Sequence, residues 1–168
     1  MSAGHTEESG LDALYRDVLF EHYRRPHNKG PLASCEIVTK GNNPVCGDKV
    51  TIYAKLAADG KTLEQVNFEG KACAICTAST SMMTDVMTGK TLEDAEAWSD
   101  KFKGMMRDEV PFETPAEVAD MEALEGVKKF PVRVKCATLG WTTLKNGILA
   151  YRAGLAGNET NTEESCAT

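Results

Sequence analysis

Cys46, Asp48, Cys73 and Cys136 are the side chains best equipped for chemistry in this chain. Three thiolates and a carboxylate form a tetrahedral ligand set for Zn²⁺, and thiolates equally suit an iron–sulfur species. Cys46 and Asp48 lie in Asn43-Pro44-Val45-Cys46-Gly47-Asp48. Side chains two apart on an extended segment point to the same side. Gly47 lets the backbone turn so that both reach one ion, and Pro44 stiffens the approach. Read alone, the segment also fits a Pro-Gly turn with a buried cysteine and a capping aspartate. Cys73 falls where a β region meets a helical pattern. Unpaired N–H groups at a helix start stabilise a thiolate there, which suits a ligand or a nucleophile. Cys136 follows Pro131 near another helix start, and Arg133 and Lys135 flank it. Their charge favours a thiolate and offsets a negative metal site. Ordinary core cysteines remain the alternative for both.

The other cysteines carry less. Cys73-Ala74-Ile75-Cys76 has the CxxC spacing, but no second CxxC completes a zinc ribbon and no βαβ pattern surrounds it as a redox motif requires. Cys76 would lie one helical turn from Cys73. Cys35, in a strand-like run, and Cys166, near the end, read as dispensable. His5, His22 and His27 lack metal-ligand spacing, and Met82, Met83 and Met87 read as packing.

These residues must be positioned by secondary structure. Leu11, Leu14, Tyr15, Val18, Leu19 and His22 have helical spacing, and the helix should stop before Pro26. Val50, Ile52, Ala54 and Leu56 alternate as in a half-buried strand. Asp59-Gly60 is a turn signal, and Leu63–Phe68 supplies the return strand. Glu36–Lys40 reads as a third strand. Helices are expected from Ala72 to Met87, from Thr91 toward Met106 behind a capping box, and from about Val132 to Leu155. Thr114-Pro115-Ala116-Glu117 reads as a second capping box with Pro at the first helical position, and Gly126 should break the stretch after it. The fold class is α+β: a small antiparallel sheet of about three strands with helices packed on one face. Residues 1–10 read as a flexible leader, 11–156 as a single domain and 157–168 as an acidic flexible tail.

The chain has 168 residues, 42% hydrophobic and 26% charged, enough for one folded domain. Its net charge is −6, and no basic block interleaved with aromatics suggests nucleic-acid binding. No apolar run is long enough to span a bilayer, and residues 1–10 show no secretory pattern. The expected compartment is the cytoplasm. Six cysteines in that reducing setting are expected to be free, metal-bound or catalytic.

Three segments in order resemble the IscU/NifU-N superfamily of iron–sulfur assembly proteins, most closely its SufU branch. They are Asn43 to Asp48, Phe68 to Met83 and Phe130 to Trp141, and the likeness spans roughly Leu11 to Tyr151. Lys135 stands where IscU-type proteins carry histidine, and the stretch between Cys73 and Cys136 is long, as in SufU. Ala72 departs from the usual glycine and Cys76 from the usual small residue. The resemblance implies a SufU/IscU-like fold and a zinc site of Cys46, Asp48, Cys73 and Cys136, with Arg133, Lys135 and Cys76 beside it. It implies a zinc-dependent sulfurtransferase for iron–sulfur cluster assembly, a persulfide acceptor and desulfurase activator rather than an independent turnover enzyme. The implied donor is a SufS-type PLP-dependent cysteine desulfurase, with downstream iron–sulfur assembly proteins as recipients. Cys46 is the expected acceptor, because its Gly-flanked loop is the most mobile. A scaffold carrying an iron–sulfur cluster on the same ligands, and a structural zinc-binding interaction module, are the alternatives.

Overall fold

Helix α1 spans Ala3–Arg24 and ends two residues before Pro26, which cannot extend it. These elements come from a computed structural model, described for residues 3–154 and 161–163. The helix starts at Ala3, so the expected leader to Gly10 is not a separate loose segment. Once Tyr15, Val18 and Leu19 anchor the helix by packing, adding turns upstream needs no new nucleation.

Strands β1 (Ile37–Asn43), β2 (Asp48–Leu56) and β3 (Leu63–Lys71) form an antiparallel meander in the order β3-β2-β1. The alternation in β2 does what its pattern requires: Val50, Ile52, Ala54 and Leu56 are buried while their neighbours are not. The β2–β3 turn places Gly60 at φ +67°, with its N–H donated to the Ala57 carbonyl at 2.9 Å. A short β4 (Asn161–Glu163) lies parallel to β1, pairing Lys40 with Asn161 and Asn42 with Glu163. This strand falls inside the expected flexible tail. The rest of that tail, 157–160 and 164–168, lies outside the described residues.

Helices cover the apolar face of the sheet. Helix α2 (Ala74–Met87) is buried along nearly its whole length, and α4 (Pro131–Arg152) packs beside it. Helix α3 (Leu92–Met106) starts at Thr91, whose hydroxyl accepts from the Asp94 N–H at 3.1 Å, the N-terminal half of the expected capping box. The second expected box does not form. Ala116–Lys129 is a 3₁₀ segment broken at Val118, Pro115 caps it without a side-chain bond, and Gly126 sits inside it. The buried Val118, Met121, Leu124 and Val127 recur at the three-residue spacing that 3₁₀ geometry aligns on one face, so packing selects the tighter helix.

One contact sets the spacing of the two helices that matter most. A Cβ on Gly140 of α4 would lie 2.5 Å from Thr80 Oγ1 of α2, so only glycine permits this approach. Beside it Trp141 is fully buried and stacks on Phe102 at 4.2 Å. Its Nε1–H donates to Ser79 Oγ at 3.0 Å, and Ser79 donates to the Ala137 carbonyl at 2.6 Å.

Candidate metal centre

The β1–β2 turn, the start of α2 and the first turns of α4 meet at one end of the sheet. The turn is closed by the Gly47 N–H on the Asn43 carbonyl at 2.9 Å, with Gly47 at φ +74°. That left-handed residue is what lets Cys46 and Asp48 face one point; the segment is a tight turn, not the extended strand that side-chain alternation would require. Asn43 holds the turn from within, its Oδ1 accepting the Val45 N–H at 3.2 Å.

Cys73 is the N-cap of α2, and its Sγ accepts the Cys76 N–H at 3.4 Å. Asp48 fixes this helix start: its Oδ1 accepts the Cys73 N–H at 2.8 Å, and its Oδ2 lies 3.9 Å from Cys73 Sγ. Cys136 Sγ lies 3.1 Å from Cys46 Sγ and accepts from Asn43 Nδ2 at 3.7 Å. Ligand atoms of Cys46, Asp48 and Cys136 all fall within 4.8 Å of one another, and Cys73 adjoins them through Asp48. Asp48 and Cys136 are fully buried, whereas Cys46 and Cys73 are partly exposed. A buried carboxylate among thiols is costly unless a cation compensates it, so this donor set fits a thiophilic divalent ion.

Electrostatics separate the thiols. Cys73 is lowered to about 7, chiefly because the Cys136 thiol donates to it, with the Cys76 and Ile75 N–H groups adding to the effect. Cys136 is pushed up in turn by holding that hydrogen bond, and by burial. Cys76 is fully buried, and desolvation together with the Asp48 and Cys73 charges raises its thiol well above the ordinary value. Cys73, by contrast, is only partly buried and lies beside Asp48, with its Sγ 3.9 Å from Asp48 Oδ2. Arg133 is held further toward its charged form, first by the Cys73 thiolate.

Since folding depresses the Cys73 value from 9.0 to about 7, the ionised thiolate stabilises the metal-free fold fully above pH 9. That contribution is lost as pH falls through about 7. Iodoacetamide should accordingly modify Cys73 of the metal-free protein with a midpoint near pH 7 and leave Cys76 unmodified, as read by peptide mass spectrometry.

Cys35 is outside this group, and its Sγ donates to the Leu32 carbonyl at 4.0 Å. His22 is not a ligand but a buried bridge, with Nδ1 to Ser81 Oγ at 2.8 Å and Nε2 to Asp120 at 3.0 Å. A groove of about 330 Å³ opens beside Cys73, lined by Arg16, Leu19, Phe20, Ala74, Ile75 and Arg133. Arg24 lies over the Phe20 ring and Arg25 pairs with Glu21 at 3.6 Å, so both belong to the helix surface.

An antiparallel sheet backed by helices gathers Cys46, Asp48 and Cys136 into a group that could hold a metal ion, with Cys73 beside Asp48 at the start of α2. The chain belongs to the NifU-like N-terminal domain family, whose model matches residues 14–156. It is 44% identical over 146 residues to the zinc-dependent sulfurtransferase SufU of Bacillus subtilis (strain 168), covering 87% of this chain and 97% of that protein. It is also 44% identical over 142 residues to the iron–sulfur cluster assembly scaffold protein IscU of Streptococcus pyogenes serotype M1, covering 83% and 86% respectively. Among solved structures, a protein of Fervidobacterium islandicum AW-1, described as an iron–sulfur cluster assembly scaffold for the SUF system, superposes with a TM-score of 0.67. That pair shares 31% identity, over 77% of this chain and 92% of that one. No helix among the described residues is long and apolar enough to cross a membrane.

Proposed function

We propose that this protein is a zinc-dependent sulfurtransferase of iron–sulfur cluster assembly, accepting persulfide sulfur from a SufS-type cysteine desulfurase in the cytoplasm. The observation that carries the reading is the convergence of Cys46, Asp48 and Cys136 within 4.8 Å, with Cys73 joined through Asp48. The likeness to SufU, at 44% identity over nearly all of that protein, supports the same reading.

Cys46, Asp48, Cys73 and Cys136 would hold the metal. Zn²⁺ there would keep the thiolates ionised at neutral pH without redox chemistry of its own. Cys46 is the acceptor. It is partly exposed on a turn, whereas Cys136 is buried and Cys73 is tied into a helix cap. Its thiolate attacks the terminal sulfur of the partner persulfide. A bond forms between Cys46 Sγ and that sulfur, the partner's S–S bond breaks, and the partner leaves as a thiolate. Asp48 and the α2 N-terminus keep Cys73 in place while this occurs. Arg133 balances the negative charge of the cluster. The groove flanked by Arg16 and Arg133 offers an approach for the partner beside the thiols.

Metal analysis of protein purified without chelator tests this reading. The expected result is one equivalent of zinc and a colourless solution, and one sulfane sulfur gained at Cys46 on incubation with a SufS-type desulfurase and cysteine. Iron with acid-labile sulfide, and no sulfur on Cys46, would instead assign the scaffold role carried by the IscU relatives.

A further inference from the structure

Cys46, Cys73 and Cys136 are spoken for as proposed zinc ligands, whereas Cys76 beside them is left uncommitted. It lies in the first turn of α2, and its N–H donates to Cys73 Sγ at 3.4 Å. From the rise and radius of a helix, residues three apart are about 5 Å from one another between Cα atoms. A disulfide spans about 4.4–6.8 Å, so this pair can be bridged within one helical turn. The two thiols differ in access. Cys73 is partly exposed and lines the groove of about 330 Å³ together with Arg16 and Arg133. Cys76 is fully buried. A small oxidant entering the groove therefore meets Cys73 first, with Cys76 directly behind it. An accessible thiol backed by a second, resolving thiol is the arrangement of a reversible oxidation sensor. Cys46 and Cys136 are also close, at 3.1 Å between sulfurs, but in the zinc-loaded protein the metal would hold both. Cys76 is the departure from the family pattern noted in the sequence, and the metal site gives it no task.

We propose that Cys73 and Cys76 form a reversible oxidation site, which closes to a disulfide under a hydroperoxide and so releases the metal. The proposal rests on Cys73 being a zinc ligand. The Cys73 sulfur attacks a peroxide oxygen: an S–O bond forms, the O–O bond breaks, and hydroxide leaves when the oxidant is hydrogen peroxide. The Cys76 sulfur then attacks the Cys73 sulfur. The S–S bond forms, the S–O bond breaks, and water leaves with the Cys76 proton. The two thiols supply the two electrons that reduce the peroxide. A disulfide sulfur carries no thiolate for zinc, so Cys46, Asp48 and Cys136 are left as an incomplete set. Closure also forestalls sulfinic acid on Cys73, so a thiol reductant restores the site.

The test treats the zinc-loaded full chain with hydrogen peroxide beside a chromogenic zinc chelator and maps disulfides by peptide mass spectrometry. A Cys73–Cys76 disulfide should appear in step with zinc release, and dithiothreitol followed by zinc should return the starting protein. Cys76→Ser should bind zinc as before, but its Cys73 should pass to sulfinic acid, with loss of recovery by dithiothreitol. A disulfide between Cys46 and Cys136 in place of Cys73–Cys76 overturns the proposal. So does a Cys73–Cys76 disulfide that leaves zinc bound, equal recovery in Cys76→Ser, or a protein that peroxide leaves unmodified. A full chain that holds no zinc beforehand defeats the zinc reading, and the switch with it.

Discussion

Replacing Cys46 with alanine should reduce stimulation of the desulfurase to the level seen without this protein, while far-ultraviolet circular dichroism stays unchanged. The turn around Cys46 is held by groups the substitution leaves alone: the Gly47 N–H on the Asn43 carbonyl and the Val45 N–H on Asn43 Oδ1. Cys46 is only partly buried, so losing its sulfur should cost about 1 kcal/mol or less in the metal-free protein. The nucleophile, by contrast, has no substitute. Cys136 lies 3.1 Å away but is fully enclosed, and Cys73 is engaged as the cap of α2. A structural zinc module predicts the reverse pattern, with a damaged fold and, once folded, an undisturbed desulfurase. Measuring both quantities on one preparation separates the two.

Trp141→Ala should be the most damaging single change to the fold, at about 3–5 kcal/mol. For a chain of 168 residues this is a fall in melting temperature of about 6–20 °C. The loss is compound. The indole fills a fully buried site, stacks on Phe102 at 4.2 Å and donates to Ser79. Ser79 in turn ties α2 to the Ala137 carbonyl of α4, one residue beyond Cys136. Metal should therefore be lost along with stability, although Trp141 touches no ligand. Trp141→Phe keeps most of the apolar area and gives up the indole hydrogen bond. It should cost about 1–3 kcal/mol, the range for one buried polar group left unpaired. Calorimetry with zinc analysis at each temperature reads both effects.

Much of this arrangement was legible in the sequence because it is local. Alternation marked β2, Thr91 marked the start of α3, and Cys73 lay within a residue of a helix start that small, apolar residues announced. Three cysteines at element boundaries could be singled out on those grounds, although their mutual approach could not, since 90 residues separate Cys46 from Cys136. The 3₁₀ segment is hidden from a capping rule, because Thr-Pro-Ala-Glu satisfies a helix-start pattern while the three-residue recurrence of Val118, Met121, Leu124 and Val127 favours a tighter turn. His22 is buried in α1. Its bridge to Ser81 and Asp120, 59 and 98 residues away, leaves no local trace. Asn43 holds the turn through the Val45 N–H, and its contact with Cys136 is again long-range.

The wide spacing of the proposed ligands has a consequence during synthesis. At about 5–20 residues per second, the 90 residues between Cys46 and Cys136 take about 5–18 seconds to emerge. For that interval the first thiol is outside the ribosome with no α4 to pair with, open to oxidation or to a mismatched metal. Asp48 and Cys73 arrive earlier and supply only part of the set, so the finished centre records that the nascent chain has been completed through Cys136.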